Sequence, residues 1–322
     1  MTPLRMVMMG TGEFALPSFE ILYQTGHEVV GLITQPDRIA PGRRRQHDNP
    51  LKQLALSRQT PVLQPASINT SEGVKSLLQL RPDVLVVAAY GQILSPDVLR
   101  TPRLAAINVH ASLLPRHRGA SPVAHAIWMG DRVTGVSIIQ ILPALDAGPV
   151  LSTVSTPIGP TETAGELEDR LARLGAVLLP NVLRDLLAGT ARGVPQDPAL
   201  VTRCPKLKKE QGQIDWSQSP TRIDCHVRAM QPWPGPSTHL LENSLPSQRL
   251  IVLAVREAND RVDAPVGHVL ADSQGRFLIQ AGGGQVELLR VQPPGKKPMA
   301  GSDFLCGHPL GPHARLGADP TV

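Results

Sequence analysis

The chain has 322 residues, 41% of them hydrophobic and 18% charged, with a net charge of +5. That length is long for one core and suits two domains, and no run approaches the roughly eighteen apolar residues of a membrane span. Three cysteines, far apart and in no C-x-x-C spacing, argue against a disulfide framework or structural metal and fit a reducing cytoplasm. The opening MTPLRMVMMG enters a strand almost at once, without a signal or transit segment. We therefore expect a cytoplasmic protein with no membrane partner. The mild basic balance is compatible with a polyanionic partner, but no basic tail concentrates it.

Leu4 to Met9 is an apolar strand, followed by a helical pattern from about Phe14 to Gln24 and a second strand from Val29 to Ile33. Gly10, Gly12 and Ala15 between them satisfy the dinucleotide fingerprint G-x-G-x-x-A. The ribose-binding acid should end the second strand, yet Thr34-Gln35-Pro36 stands there, so we read a tight turn that needs small residues. A long polar loop from Gln35 to Pro50 carries Arg43, Arg44 and Arg45. Those arginines are a compact phosphate-binding candidate, and a solvated charged loop is the equal alternative. A helix starts near Leu51, Val62-Leu63 is a short strand, and Ser71 to Leu80 is an amphipathic helix. Val84 to Ala88, nearly pure apolar, suits a central parallel strand covered on both faces. Tyr90-Gly91-Gln92-Ile93-Leu94 follows at its carboxyl end, either as a plain connection or as backbone groups offered to a planar heterocycle.

Leu104 to His110 is the next strand, Ser121 to Met129 a helix, Val133 to Ile141 and Val150 to Pro157 strands, and Thr163 to Leu187 a long helix. This alternation predicts an α/β fold, a doubly wound, mostly parallel, Rossmann-like sheet over residues 1–189. Residues 190–213 turn irregular and carry Lys206, Lys208 and Lys209, which reads as a basic linker. Short β-like runs then follow at Leu250–Val255, Val266–Ala271, Arg276–Ala281 and Gln285–Val291, split by close turn signals. They predict a smaller C-terminal β-barrel, OB-like, over 214–322.

The chemistry concentrates after the strand that ends at His110. Asn108 and His110 are two positions apart, so their side chains share one side of the strand at its carboxyl end. Asp146 sits in the loop Leu142 to Pro149, beyond another strand. A carboxylate near an imidazole favours its charged form and fixes its tautomer. A protonated His110 and the Asn108 amide would then be two donors converging on one oxygen, while Asp146 takes a proton from an attacking amine. The reaction this suits is acyl transfer to an amine. Ser112 as a nucleophile is discounted, because it follows His110 by only two residues and lacks the G-x-S-x-G elbow. His117 and His125 read as structural, and no acid or Cys completes a metal set.

The segment Asn108-Val-His-Ala-Ser-Leu-Leu-Pro115 with Arg118-Gly119, and Leu145-Asp-Ala-Gly148 downstream, resembles the signature of the folate-dependent formyltransferases. The resemblance extends over nearly the whole chain, including Ala89–Leu94, Leu200–Thr202, Ile214–Trp216, Arg228–Gly235 and Gln292–Lys297. It implies 10-formyltetrahydrofolate as donor and the α-amine of initiator methionyl-tRNA as acceptor, without a metal. It also implies catalytic roles for Asn108, His110 and Asp146, and folate contacts from Ser112, Leu113, Leu114 and Pro115 together with Gln92, Ile93 and Leu94. The Arg43–Arg45 loop would meet the acceptor stem, and Lys206, Lys208, Lys209, Lys296 and Lys297 the phosphate backbone. Two departures stand out: Ala111 replaces the family's usual Gly, and the loop reads Ala-Pro-Gly-Arg-Arg-Arg instead of Pro-Ala-Gly-Arg-Gly-Lys. A monomer is expected. Formyl transfer to glycinamide ribonucleotide or an amino sugar, formyltetrahydrofolate hydrolysis, and non-catalytic tRNA binding remain the alternatives.

Overall fold

A computed structural model of the chain describes residues 3–37, 49–242, 245–258, 264–270 and 274–318, and for 245–247 the backbone only. By their contacts these residues fall into two compact units, one drawn from 1–122, 133–157 and 167–205, the other from 123–132, 158–166 and 206–322. The first half of the chain runs β1 (Arg5–Gly10), α1 (Leu16–Leu22), β2 (Glu28–Ile33), α2 (Pro50–Ser57), β3 (Val62–Leu63), α3 (Ser71–Gln79), β4 (Val84–Ala88) and α4 (Pro96–Leu99). It continues through β5 (Ala105–His110), β6 (Arg118–Gly119), α5 (Pro122–Met129), β7 (Val133–Gln140), β8 (Val150–Pro157), α6 (Ala164–Leu187) and β9 (Arg203–Cys204).

The main sheet of the first unit has the order β3-β2-β1-β4-β5-β7-β8. β7 is antiparallel to both β5 and β8, so it alone is reversed and the sheet is mostly parallel, as the alternating pattern predicts. Strand order turns around between β1 and β4, the place where such sheets open a crevice at their carboxyl ends. Gly10 lies opposite Ala88 there, and a Cβ on Gly10 would meet the Ala88 carbonyl at 2.6 Å and the Phe19 ring at 2.9 Å. The first glycine of the G-x-G turn therefore serves close packing. α1 begins at Leu16, after a 3-10 turn over Glu13–Ala15, later than the hydrophobic pattern suggests. Pro17, which has no N–H, suits only the first turn of a helix.

The helix starts show how local sequence sets boundaries. Asn49 and Ser95 each precede a proline, and their side chains cap the helix that follows. Asn49 Oδ1 accepts from the amides of Leu51 at 3.1 Å and Lys52 at 3.3 Å, and Ser95 Oγ from Val98 at 3.4 Å.

The second unit contains α7 (Pro220–Ala229), β10 (Ser237–Glu242), β11 (Leu245–Ala258), β12 (Val269–Leu270), β13 (Leu278–Ala281), β14 (Gly284–Gln292), β15 (Met299–Ala300), α8 (Gly301–Gly307) and β16 (Arg315–Gly317). Its sheet runs β12-β13-β14-β11-β10-β16, with β15 on β14. An isolated bridge joins His268 to Arg315, and Leu316 N donates to Gly267 O at 2.7 Å. The two ends of the sheet thus meet, which gives a nearly closed antiparallel barrel and removes its open edges. Ile223 and Val227 of α7 share one buried cluster with Leu250, Val252, Phe277, Val286 and Phe304.

α7, β10 and α8 were not read from the sequence, and β11 is longer than the apolar run at 250–255. In 190–213, β9 pairs in parallel with β6 inside the first unit, while residues from Lys206 onward belong to the second.

One buried histidine makes the second unit acid-sensitive. His226 is 9% exposed; its Nε2 donates to the Gln211 carbonyl at 2.7 Å, and Nδ1 has no partner among the described residues. Burial holds its pKa below the ordinary value, against the opposing pull of the Gln211 carbonyl. The unfolded imidazole takes up its proton near pH 6.5, the folded one only at lower pH. Folding stability is therefore lost as pH falls below about 6.5 and until the folded ring titrates. His226→Gln should flatten the fall in melting temperature between pH 7.5 and 5.5; a slope equal to that of the wild type would remove His226 as the cause.

Candidate active site

β5 carries the site. It lies between β4, to which it is parallel, and β7, so its carboxyl end is flanked by strands on both sides. Asn108 sits opposite Val87 and Ile139, and His110 opposite Ser137. Asn108 is half-buried, and among the described residues its amide has no hydrogen-bond partner. His110 is 6% exposed. Its Nε2 lies 2.9 Å from the His117 carbonyl and its Nδ1 3.8 Å from Asp146 Oδ2.

A carbonyl only accepts, so Nε2 carries a hydrogen and the His117 carbonyl fixes the tautomer. This differs from the sequence reading, which gave that task to Asp146. At 3.8 Å the carboxylate faces Nδ1 without a direct hydrogen bond. The ring is held from behind, and its other nitrogen is left toward the carboxylate.

The same carbonyl takes a second donor, Cys204 Sγ, at 3.0 Å. Burial pushes the Cys204 thiol up to about 11, and the nearby Asp146 charge adds to that. Cys204 is thus a neutral donor and no nucleophile. His117 adopts φ +56°, and its amide donates to Thr202 Oγ1 at 2.8 Å. His117 matters through its main chain, which a search for reactive side chains passes over.

Asp146 is placed by equally local means. Its side chain is 11% exposed, and Oδ2 accepts from Gly119 N at 2.9 Å. Its backbone sits at φ +49°, a conformation uncommon for a residue with a side chain. The Gln196 amide donates to the Asp146 carbonyl at 2.8 Å. Gln196 lies in the irregular stretch after α6, where nothing in the sequence marks it.

Ser112 is fully buried, and its hydroxyl donates to the Arg116 carbonyl at 2.7 Å. It closes a turn, which agrees with discounting it as a nucleophile. Ser137 Oγ donates to the Ser112 carbonyl at 2.8 Å and accepts from Leu114 N at 3.1 Å. The turn bearing Leu113, Leu114 and Pro115, all half-buried, is thereby pinned to β7. Gln92 spends its amide on Ile68 N and the Ala66 carbonyl, both at 3.2 Å. Leu94 is in the core at 6% exposed, whereas Ile93 is 69% exposed and presents free apolar surface.

Asn108, His110, Asp146 and the 112–115 turn all belong to the first unit. Lys206, Lys208, Lys209, Lys296 and Lys297 are exposed on the second. Arg43, Arg44 and Arg45 lie outside the described residues. Among the described residues no three His, Cys, Asp or Glu side chains gather as a metal set, and no helix is long and apolar enough to cross a membrane. The arrangement offers an amide donor, an imidazole of fixed orientation and a carboxylate, a set suited to chemistry at a carbonyl carbon.

Comparison with known proteins bears on that chemistry. Residues 4–183 match the family model described as Formyl transferase, and residues 206–309 the one described as Formyl transferase, C-terminal domain. The methionyl-tRNA formyltransferase of Rhodopirellula baltica is 44% identical over 319 residues, 95% of this chain and 95% of that protein. Its counterpart in Methylococcus capsulatus is 42% identical, over 95% of this chain and 98% of its own. Among solved structures, the N-formyltransferase from Helicobacter canadensis, in complex with folinic acid and dTDP-3-aminofucose, has a TM-score of 0.65 at 15% identity. That match covers 90% of this chain and 99% of the other. HypX from Aquifex aeolicus, in complex with tetrahydrofolic acid, has a TM-score of 0.61 at 16% identity; the match covers 94% of this chain and 46% of that one. These two structures share the fold.

Proposed function

The chain belongs to the formyl transferase family, and we propose that it transfers the formyl group of 10-formyltetrahydrofolate to the α-amine of methionine on initiator tRNA. The product is N-formylmethionyl-tRNA, used to begin translation. One observation carries the choice of acceptor: identity of 40–44% to methionyl-tRNA formyltransferases extends over 95–98% of this chain. It therefore includes the second unit and does not stop at the catalytic one. The aminosugar-bound N-formyltransferase, by contrast, is 15% identical.

In this reading His110 is protonated at both ring nitrogens, and the Asn108 amide and His110 Nδ1 donate to the formyl oxygen as the amine adds to the carbon. Asp146 receives the proton that the amine releases; the bond from the formyl carbon to N10 of the folate then breaks, and that nitrogen takes up a proton and leaves as tetrahydrofolate. His117 and Cys204 act behind the imidazole and keep its plane fixed, so reorganisation during the reaction is small. We assign the folate contacts to the 112–115 turn and to residues 92–94. Because the Gln92 amide and the Leu94 side chain are already committed, the side-chain contact in 92–94 falls to Ile93, with main-chain groups beside it. Arg43, Arg44, Arg45 and the five lysines are assigned to tRNA phosphates, with the salt dependence that such contacts bring. We read the enzyme as a cytoplasmic monomer that needs no metal.

The test is incubation with 10-formyltetrahydrofolate and charged initiator tRNA, followed by analysis of the amino acid released from the tRNA. Formylmethionine is the expected product. Replacing Arg43, Arg44 and Arg45 together by Ala should raise KM for tRNA about tenfold or more in 0.15 M salt and leave KM for the folate unchanged. Absence of formylmethionine, with formylation of an amino-sugar nucleotide in its place, would transfer the chain to the other acceptor class.

A further inference from the structure

A single amide holds the loop that carries Asp146. Gln196 Oε1 accepts from Arg118 Nε at 3.0 Å and from Arg118 Nη2 at 2.7 Å. Gln196 Nε2 donates to the carbonyls of Asp146 at 2.8 Å and Gly148 at 2.7 Å. Both donors and both lone pairs of the amide are thus in use. Arg118 is itself fixed, since its amide donates to the Thr202 carbonyl at 2.9 Å and it stands opposite Arg203 in the β6–β9 pair. The next residue, Gly119, gives its N–H to Asp146 Oδ2 at 2.9 Å. The dipeptide Arg118-Gly119 therefore grips Asp146 twice, directly at the carboxylate and through Gln196 at the main chain.

We infer that Gln196, braced by Arg118, is a positioning residue that holds the Asp146 carboxylate on the Nδ1 side of His110. The chemistry of the contact makes the residue type specific. A carboxylate at position 196 would accept from Arg118 but could not donate to two carbonyls, and it would meet their negative ends. An alanine would leave the Arg118 guanidinium and both carbonyls without this partner, and among the described residues no other donor holds the Asp146 and Gly148 carbonyls. Asp146 sits at φ +49°, so without that hold the backbone is free to relax toward a commoner conformation. A shift of about 1 Å at a catalytic group is worth about a hundredfold in rate.

The inference rests on the proposed formyl transfer for its kinetic arm, and a second arm is independent of it. Gln196→Glu and Gln196→Ala should lower kcat ten- to a hundredfold, leave KM for folate and tRNA within about threefold, and keep the melting temperature within a few degrees. In an Asp146→Asn background the same substitutions should change the residual rate by less than twofold, because they act through the carboxylate. Hydrogen exchange should accelerate at the Gly119 amide in both variants while the amides of β4 stay protected. Wild type without formylmethionine product would defeat the functional reading alone, and the exchange result would still decide the positioning. Wild-type kcat in Gln196→Glu, an equal loss in the Asp146→Asn background, or unchanged Gly119 exchange would each overturn the inference.

Discussion

Asp146→Asn is expected to lower formyl transfer by about a thousandfold or more, with little change in KM or in melting temperature. The substitution keeps the size of the side chain, and an amide oxygen can still accept from Gly119 N, which in the wild type reaches Oδ2 at 2.9 Å. What disappears is the charge facing His110 Nδ1 across 3.8 Å and the group that takes the amine's proton. General base catalysis is worth roughly a hundred- to ten-thousandfold, and loss of an oxyanion donor roughly a hundred- to a thousandfold. Asp146 serves the first directly and supports the second through the imidazole. The loss should therefore appear in kcat, since the groups assigned to folate and tRNA are untouched. His110→Ala should match it in rate and also cost stability, because the His117 carbonyl loses a donor worth about 1 kcal/mol. Turnover near that of the wild type in Asp146→Asn, with a native melting profile, would end the assignment of Asp146 as the base.

The residues to which we assign this chemistry were visible in the sequence for a simple reason. Asn108 and His110 obey period two at the end of an apolar strand, and Asp146 follows the next strand read from the sequence, in the loop Leu142 to Pro149. Each signal is local. The strands β4, β5 and β8 were legible on the same ground, as were the helices that Asn49-Pro50 and Ser71 begin. What fixes the geometry was not legible, because it is long-range and made of main chain. Arg118 and Gln196 are 78 positions apart, and the Cys204 thiol meets the His117 carbonyl across 87. No periodicity links such pairs. The tautomer of His110 depends on the His117 carbonyl, an acceptor that every residue type supplies, so no side-chain pattern announces it. α7 was a different kind of miss. Ser219-Pro220 carries the same cap logic as Asn49-Pro50, and Ser219 Oγ accepts from Arg222 N at 3.4 Å. Ile223 and Val227 stand four apart on its buried face, yet the polar residues between them hide that stripe. The barrel was readable as a class from its turn spacing, while its closure depends on β12 meeting β16, a pairing set by tertiary contacts.

Gly119→Ala should lower both stability and activity. Gly119 has φ +132°, and a Cβ built there would lie 2.4 Å from the Cys204 carbonyl oxygen and 3.0 Å from its carbon. Both are backbone atoms, so the contact cannot be relieved by turning a side chain. The left-handed conformation adds strain of about 1–3 kcal/mol, and overpacking about as much again. Relief would push β6 away from β9 and carry Gly119 N, with the Asp146 carboxylate bonded to it, out of place. Activity should then fall about a hundredfold or more, beyond what reduced stability explains at a temperature where the variant is folded. Gly12 is the control: it also has a positive φ, +93°, but a Cβ there meets nothing within 4 Å. Gly12→Ala thus carries strain alone and should lose less stability, with kcat close to the wild type. If Gly119→Ala melted within about 2 °C of Gly12→Ala and turned over equally well, the close approach of β6 to β9 would not be what places the carboxylate.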